Sequence, residues 1–294
     1  MNEKLKDVIL KLTRAKPDEP YLRIMYRIVT GKKLNLKPPV TYNEKLQWLK
    51  LHYRNDEFTK MLDKYEVRNF IKSRVGSKYL IPLLGVWDSP DEINFELLPE
   101  KFVLKCTHDC HGLAICKDKS SFDYEKAMKD LKLALSRNYY YQGREWPYKN
   151  VKPRVICEKY MEDSTDLQLI DYKVFNFNGL PKIIQVDFDR FSEHKRKFFD
   201  TEWNCLDISF HIPSDRSKTI VKPNKLGEML ELAKVLSKGF PHLRTDFYIV
   251  NNNIYVGEMT FFHGNGMGVW TPESFDEEMG GWMDLMEVSG GKIK

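Results

Sequence analysis

No stretch of this 294-residue chain is long and apolar enough to cross a bilayer. Nor does the N-terminus read as a secretory leader. Met1-Asn2-Glu3-Lys4 leads into Val8-Ile9-Leu10, too short for the apolar part of a signal peptide. Cysteine is sparse and odd in number, five residues with four between Cys106 and Cys157. These absences predict a cytoplasmic protein with reduced thiols. A Gly-x-x-x-x-Gly-Lys loop is missing, which excludes a Walker-type phosphate site. There is no Cys-x-x-Cys pair and no convincing nucleophilic triad. Repeats, low-complexity tracts and flexible linkers are absent as well. The net charge of +5 is too small to argue for nucleic acid. It is compatible with an anionic ligand such as a nucleotide or an acidic glycan. What is present is the make-up of a globular chain, 42% apolar and 30% charged.

The most informative stretch runs from His242 to Thr260 and reads as a β-hairpin. Asp246, Tyr248 and Val250 alternate with Phe247 and Ile249. Asn251-Asn252-Asn253 makes the turn, because Asn tolerates positive φ. Asp246 and Glu258 are equidistant from Asn252, so they are near cross-strand neighbours. Adjacent carboxylates repel unless a cation sits between them, and Mg²⁺ shared with nucleotide phosphates is the common solution. Arg244, two residues before Asp246, shares its face. An arginine there suits a phosphoryl or acyl-phosphate intermediate. The alternative is an exposed hairpin with solvated charges.

Residues 1–60 look helical and basic, with Lys4, Lys6, Lys11, Arg14, Lys16, Arg23, Arg27, Lys32, Lys33 and Lys37 against few acids. Thr41-Tyr42-Asn43-Glu44 is a capping box opening a helix. A helical cap on the main body is favoured over a helix lying on a membrane surface. Beyond residue 60, short strands and helices follow in α+β order rather than regular βαβ alternation. Asp171–Phe177 and Pro181–Phe188 form a hairpin around Asn178-Gly179.

Lys105 ends the strand Phe102-Val103-Leu104 and precedes a small-residue loop, an arrangement that can hold phosphates. The loop is poor in glycine, with only Gly112, so His108 or His111 could take over phosphate contacts. Cys106, His108, Cys110, His111 and Cys116 raise zinc as a rival, but the spacing fits no known half-site and no stoichiometric zinc is expected. Catalysis by Cys110 is equally unsupported. The strand Val155–Tyr160 turns polar at its end. Asp171 opens the next strand, and the basic run Lys195-Arg196-Lys197 reads most simply as a solvated face.

The order of these pieces changes their weight. Phe102-Val103-Leu104-Lys105, Asp171-Tyr172-Lys173-Val174-Phe175-Asn176-Phe177-Asn178-Gly179 and Leu243-Arg244-Thr245-Asp246-Phe247-Tyr248 resemble the ATP-grasp superfamily, and within it the family named for the teichuronopeptide biosynthesis protein TupA. The likeness covers roughly residues 20–270. It implies an α+β ATP-grasp fold, two subdomains clamping ATP. Residues 1–60 would be a helical extension and 61–294 the ATP-grasp domain, with a small lid at about 100–160 and a Mg²⁺-bearing subdomain at 161–294. Lys64 and Lys105 would contact phosphates, Lys105 also serving catalysis. Glu158, Lys159, Tyr160 and Met161 would form the adenine hinge. Asp171 would hold the ribose, Lys173 would belong to the nucleotide set, and Lys197 would reach the terminal phosphate. Asp246 and Glu258 would coordinate Mg²⁺ and Arg244 would stabilise the acyl phosphate. Many relatives place Asn two residues after the metal-binding Glu; here it is Thr260, whose hydroxyl can still serve as a ligand.

The resemblance implies an ATP- and Mg²⁺-dependent carboxylate–amine ligase. The carboxylate would belong to a uronic acid of a surface polysaccharide, and the amine to an amino acid or small amine. An acidic glycan or lipid-linked saccharide would be the acceptor, reached through the basic N-terminal region at the inner face of the cytoplasmic membrane. Two alternatives stay open. Asp187-Phe188-Asp189 could serve a glycosyltransferase, or a sugar kinase could act in the same pathway. Thr260 keeps a non-catalytic nucleotide-binding protein in view.

Overall fold

A computed structural model describes residues 13–109, 112–163, 169–188, 195–211 and 218–286. The amphipathic start at residues 7–12, together with Cys110, His111 and Asp189, lies outside them. The α+β class holds. The helices are α1 (Asp18–Thr30), α2 (Tyr42–His52), α3 (Glu57–Leu62), α4 (Val67–Val75), α5 (Tyr124–Leu135), α6 (Tyr140–Gly143), α7 (Leu226–Ser237) and α8 (Ser274–Trp282). The strands are β1 (Leu83–Trp87), β2 (Phe102–Cys106), β3 (Leu113–Cys116), β4 (Val155–Lys159), β5 (Asp171–Phe177), β6 (Leu180–Phe188), β7 (Lys195–Asp200), β8 (Cys205–Leu206), β9 (Ser209–Phe210), β10 (His242–Val250), β11 (Asn253–Thr260) and β12 (Trp270–Thr271).

Two antiparallel sheets carry the fold. The smaller has the order β1-β4-β2-β3, and the larger β11-β10-β5-β6-β7-β8. The smaller sheet therefore takes in Leu83–Trp87, ahead of the 100–160 range expected for a lid. It has its own core, built from Phe102, Leu104, Val155 and Cys157 with Leu131 of α5. The larger sheet buries Val174, Ile184 and Phe247 in a second core. Tyr21 and Leu22 of α1 and Tyr42 and Leu46 of α2 sit in that same core. The N-terminal helices thus share the large sheet's core rather than building their own. The Thr41 hydroxyl accepts from Glu44 N–H, and the Glu44 carboxylate accepts from Thr41 N–H in return, which fixes where α2 begins. Tyr42 Oη then meets His242 Nε2 at 3.0 Å, tying α2 to the first residue of β10.

Both hairpin turns form as their asparagines require. Asn178 and Gly179 have φ of 49° and 77°, and Asn251 and Asn252 have 49° and 60°. Two left-handed residues in a two-residue loop match the twist of the flanking strands. The β10–β11 turn is thus Asn251-Asn252, with Val250 opposite Asn253. That register alone would put Asp246 opposite Gly257. A bulge intervenes: Phe247 pairs with Val256 but Asp246 pairs with Glu258. Gly257 is the extra residue, and a one-residue shift moves Glu258 onto the face it needs. A Cβ at Gly257 would lie 2.6 Å from a Tyr248 ring carbon, so glycine is the residue that fits.

Candidate active site

Register gathers a row of charge on one face of the large sheet. Asp246 is opposite Lys173 on one side and Glu258 on the other, and Arg244 is opposite Thr260. Asp171 is opposite Asp187, which is opposite Arg196. Because side chains alternate along a strand, all of these point to one side. Asp171, Lys173, Asp187, Arg196, Arg244 and Asp246 are buried.

A buried charge persists only when paired and hydrogen-bonded. Arg244 Nε and Nη2 donate to the two oxygens of Asp246, each at 2.7 Å, a bidentate fork. Lys173 Nζ donates to Asp246 Oδ2 at 2.9 Å and also bonds Asp171. Arg196 Nε donates to Asp187 Oδ1 at 2.7 Å, and Gln185 Nε2 reaches the same carboxylate at 3.0 Å. Burial alone would push the Asp246 carboxyl up, but Arg244 and then Lys173 outweigh it and hold it below the usual carboxylate range. Burial likewise works against Lys173, and Asp171 and Asp246 restore and raise its pKa.

Glu258 is treated differently. It is half-buried and has no ion pair or side-chain hydrogen bond among the described residues. Glu145, buried just after α6, stands within electrostatic reach of Glu258 and Arg244. Burial raises the Glu145 carboxyl to about 7, with Lys50 pulling it down and Glu258 pushing it up. The side chains of Asp246, Glu258 and Thr260 supply the oxygen donors that Mg²⁺ prefers. Glu258 feels the charge of Arg244 without being tied to it by an ion pair or hydrogen bond among the described residues, so the donor set fits a hard cation. Among the described residues no three His, Cys, Asp or Glu side chains already stand in metal-holding geometry. The repulsion expected between Asp246 and Glu258 is relieved on the Asp246 side by Arg244 and Lys173.

Lys197 does not join this row. It pairs with Val186, so it lies on the opposite face from Arg196, and its ammonium bonds Lys218 O. The run Lys195-Arg196-Lys197 is a buried strand rather than a solvated face, and alternation makes Arg196 the cation on the site's side.

The remaining predicted residues lie on or beside the smaller sheet. Lys105 Nζ donates to Glu158 Oε2 at 2.7 Å, and Arg68 approaches the other oxygen at 3.4 Å. The Glu158 side chain is therefore occupied by two cations. Lys64 Nζ donates to Asp109 O at 2.7 Å, which places it at the loop after β2. Lys159 N–H is taken by Pro82 O at 2.9 Å. Tyr160 and Met161, expected at the adenine hinge, stand past the last ladder pair, Phe102 opposite Lys159. The sheets are joined here: Asn251 N–H donates to Asp163 Oδ2 at 2.9 Å, and Leu80 bridges Val256.

Of the zinc candidates, Cys106 and Cys116 sit at opposite ends of the β2–β3 ladder, since Phe102 is the residue opposite Cys116. Burial pushes the Cys106 thiol up to about 12, an unreactive state. His108 Nε2 is 3.1 Å from Arg137 O. Asp187 is held by Arg196 and Gln185, within the charge row.

Three residues of the site were missed from sequence: Lys50, Glu145 and His263. Lys50 and Gln47 lie with Asn43 at helical spacing on the buried face of α2, a polar stripe that marks a buried polar contact. His263 Nδ1 is 2.6 Å from Arg244 Nη1. Nothing in the local sequence marks Glu145.

A family model described as TupA-like ATPgrasp matches residues 44–284. No curated protein matches the chain. Among solved structures, a D-alanine–D-alanine ligase from Bacillus anthracis complexed with ATP is 14% identical. That match covers 68% of this chain and 53% of that one, with a TM-score of 0.39. An N5-carboxyaminoimidazole synthetase from Staphylococcus aureus complexed with ADP is 14% identical over 68% of this chain and 43% of that one, TM-score 0.38. A D-alanine–D-alanine ligase from Helicobacter pylori is 14% identical over 85% and 68%, TM-score 0.44. The chain spans about half the length of the first two structures.

Proposed function

We propose, from the premise that this chain belongs to the TupA-like ATP-grasp family and has its fold, that it is an ATP- and Mg²⁺-dependent carboxylate–amine ligase. The observation that carries this reading is the buried Arg244–Asp246–Lys173 cluster on the same face as Glu258, which makes no ion pair of its own among the described residues. Bound ATP and Mg²⁺ would supply the phosphoryl group and the counter-charge for its transfer. A substrate carboxylate oxygen would take the γ-phosphoryl group and ADP would leave. An amine would then attack the acyl carbon and phosphate would leave.

The chain's own residues divide the work. Lys105 and Lys64 are the cations for nucleotide phosphates. Tyr160 and Met161 meet the base, and Asp171, braced by Lys173, meets the ribose. Asp246, Glu258 and Thr260 hold the cation. Three of the five Arg244 N–H groups are committed to Asp246 and His263, and two remain for an oxyanion. Such preorganised donors stabilise charge that develops late in a reaction. Of the run Lys195-Arg196-Lys197, Arg196 is the cation on the site's face, bonded to Asp187.

We propose further that the carboxylate is a uronic acid of a surface polysaccharide and the amine an amino acid or small amine. Arg27, Lys33 and Lys37 carry no ion pair among the described residues, and Ile24 and Ile28 of α1 are exposed beside them. That surface suits an acidic, lipid-linked acceptor at the cytoplasmic membrane face. No helix among the described residues is long and apolar enough to cross a membrane.

The test is release of ADP and phosphate across a panel of uronic acids and amines. Turnover that needs carboxylate, amine and Mg²⁺ together supports the ligase. Release of a nucleoside diphosphate from a sugar nucleotide instead would favour the glycosyltransferase. In the same assay Lys105→Ala should weaken nucleotide binding by about 1.5–3 kcal/mol, the worth of a charge-assisted contact. Unchanged calorimetric affinity in the folded variant would remove Lys105 from the phosphate site.

A further inference from the structure

His263 follows β11 in a loop whose next three residues, Gly264, Asn265 and Gly266, all have left-handed φ, 56°, 61° and 58°. Helix α2 fixes that loop from below. Lys50 Nζ donates to Asn265 O and Gly143 O, each at 2.8 Å. Gln47 Nε2 donates to Asn265 O and Gly266 O, each at 2.7 Å. His263 is only 5% exposed. Phe175 and Phe210 hold it at centroid distances of 4.8 and 4.4 Å.

Arginine has donors only, so His263 Nδ1 must be the acceptor in its 2.6 Å contact with Arg244 Nη1. The proton of the neutral ring is then on Nε2, which has no hydrogen-bond partner among the described residues. Burying an unsatisfied donor costs free energy that an apolar side chain of similar size would not incur. Filling the aromatic box is therefore a poor reason for a histidine here. The Nδ1 acceptor is the better one.

We propose that His263 is a positioning residue of the transfer site: its Nδ1 sets the rotation of the Arg244 guanidinium and aims the two uncommitted N–H groups at the phosphoryl oxygens. Asp246 grips one edge of the guanidinium, and His263 defines the other. Lys50 and Gln47 act one step further back by fixing the loop that carries the imidazole. This inference rests on the ligase reading, through the role given there to Arg244.

The experiment is calorimetric binding of inorganic phosphate in the presence of MgADP, with the full chain. His263→Leu should bind MgADP as the wild type does and bind phosphate about tenfold more weakly, the loss of roughly one well-aimed charge-assisted bond. His263→Asn carries an oxygen near the Nδ1 position and should recover most of that loss. His263→Gln places its oxygen nearer Nε2, should not recover it, and takes the place of His263→Leu if that variant fails to fold. Wild-type phosphate affinity in a folded Leu or Gln variant, or an Asn variant as weak as Leu, would overturn the positioning role. Arg244→Ala separates the two readings. If it loses phosphate while His263→Leu does not, only the positioning role falls. If neither variant changes phosphate binding, or if the wild type binds no MgADP, the assignment of Arg244 falls with it.

Discussion

The large and the small sheet both present charged side chains on one face, yet they hold them in different ways. In the large sheet Arg244, Asp246 and Lys173 are buried, and Asp246 alone accepts three cationic hydrogen bonds. In the small sheet the Lys105 side chain is 21% exposed and shares one carboxylate, Glu158, with Arg68. The first arrangement is set before any ligand arrives, as electrostatic preorganisation requires. The second has cations that can be redirected, because a lysine ammonium on a flexible stem near solvent loses little by changing partners. On the proposed function, the fixed cluster of the large sheet would serve phosphoryl transfer, and the redirectable cations of the small sheet would meet the nucleotide phosphates.

The strongest way to break this contrast is to remove Asp246. Asp246→Ala removes the carboxylate that Arg244 grips, while Lys173 keeps Asp171, and breaking a buried pair in this way costs about 3–5 kcal/mol. Urea unfolding should show a loss of that size, whereas a loss below about 1 kcal/mol would mean that the large-sheet cluster is not preorganised.

Next comes a pH slope centred on Glu145. Its folded pKa, about 7, lies above its ordinary 4.5, because burial disfavours the charged form. The folded state therefore binds more protons than the unfolded state between these values. Its contribution to stability is full below about 4.5 and lost as the pH rises through about 7. Lys50, Glu258 and Arg244 are the charged groups that face it. Subtracting the stability profile of Glu145→Gln from that of the wild type should isolate this fall. An unchanged profile in the variant would show that the carboxyl is already ionised and paired.

The bulge offers a smaller lever. Gly257→Ala places a methyl 2.6 Å from the Tyr248 ring and should cost about 1–3 kcal/mol as overpacking. Combining it with Tyr248→Ala should recover part of the stability measured by thermal melts. If the single variant melts like the wild type, glycine is not needed for the bulge. The smallest stability effect belongs to Glu258→Gln. This carboxylate has no ion pair or hydrogen bond to lose among the described residues, and the attraction of Arg244 is opposed by Glu145, so its removal should change stability by no more than about 0.5 kcal/mol.

Much of this was legible in the residues, though not always for the right reason. The Asn-Gly and Asn-Asn turns announced both hairpins, because few side chains accept two left-handed positions. The opposition of Asp246 and Glu258 was found by counting from a three-asparagine turn. The structure reaches the same pair from a two-residue turn plus a bulge at Gly257. Bulges leave little trace in a sequence, so that register could not have been derived locally. Lys197 lies off the charge row for a related reason: side-chain parity depends on strand pairing, and pairing set Arg196 against Asp187. Lys50 was missed, although a polar stripe with Gln47 and Asn43 at helical spacing could have marked it. His263 and Glu145 were not visible, since their roles come from segments far apart in the chain.

On the proposed function, Glu258 and Asp246 form a cation-dependent nucleotide site beside Arg244. Calorimetric titration of ATP, with Mg²⁺ and with chelator, into the wild type and Glu258→Gln tests it most directly. Mg²⁺ should tighten ATP binding to the wild type, and most of this gain should disappear in a Glu258→Gln variant that melts like the wild type. A wild type that ignores Mg²⁺, or a Glu258→Gln variant that keeps the full Mg²⁺ dependence, would contradict it.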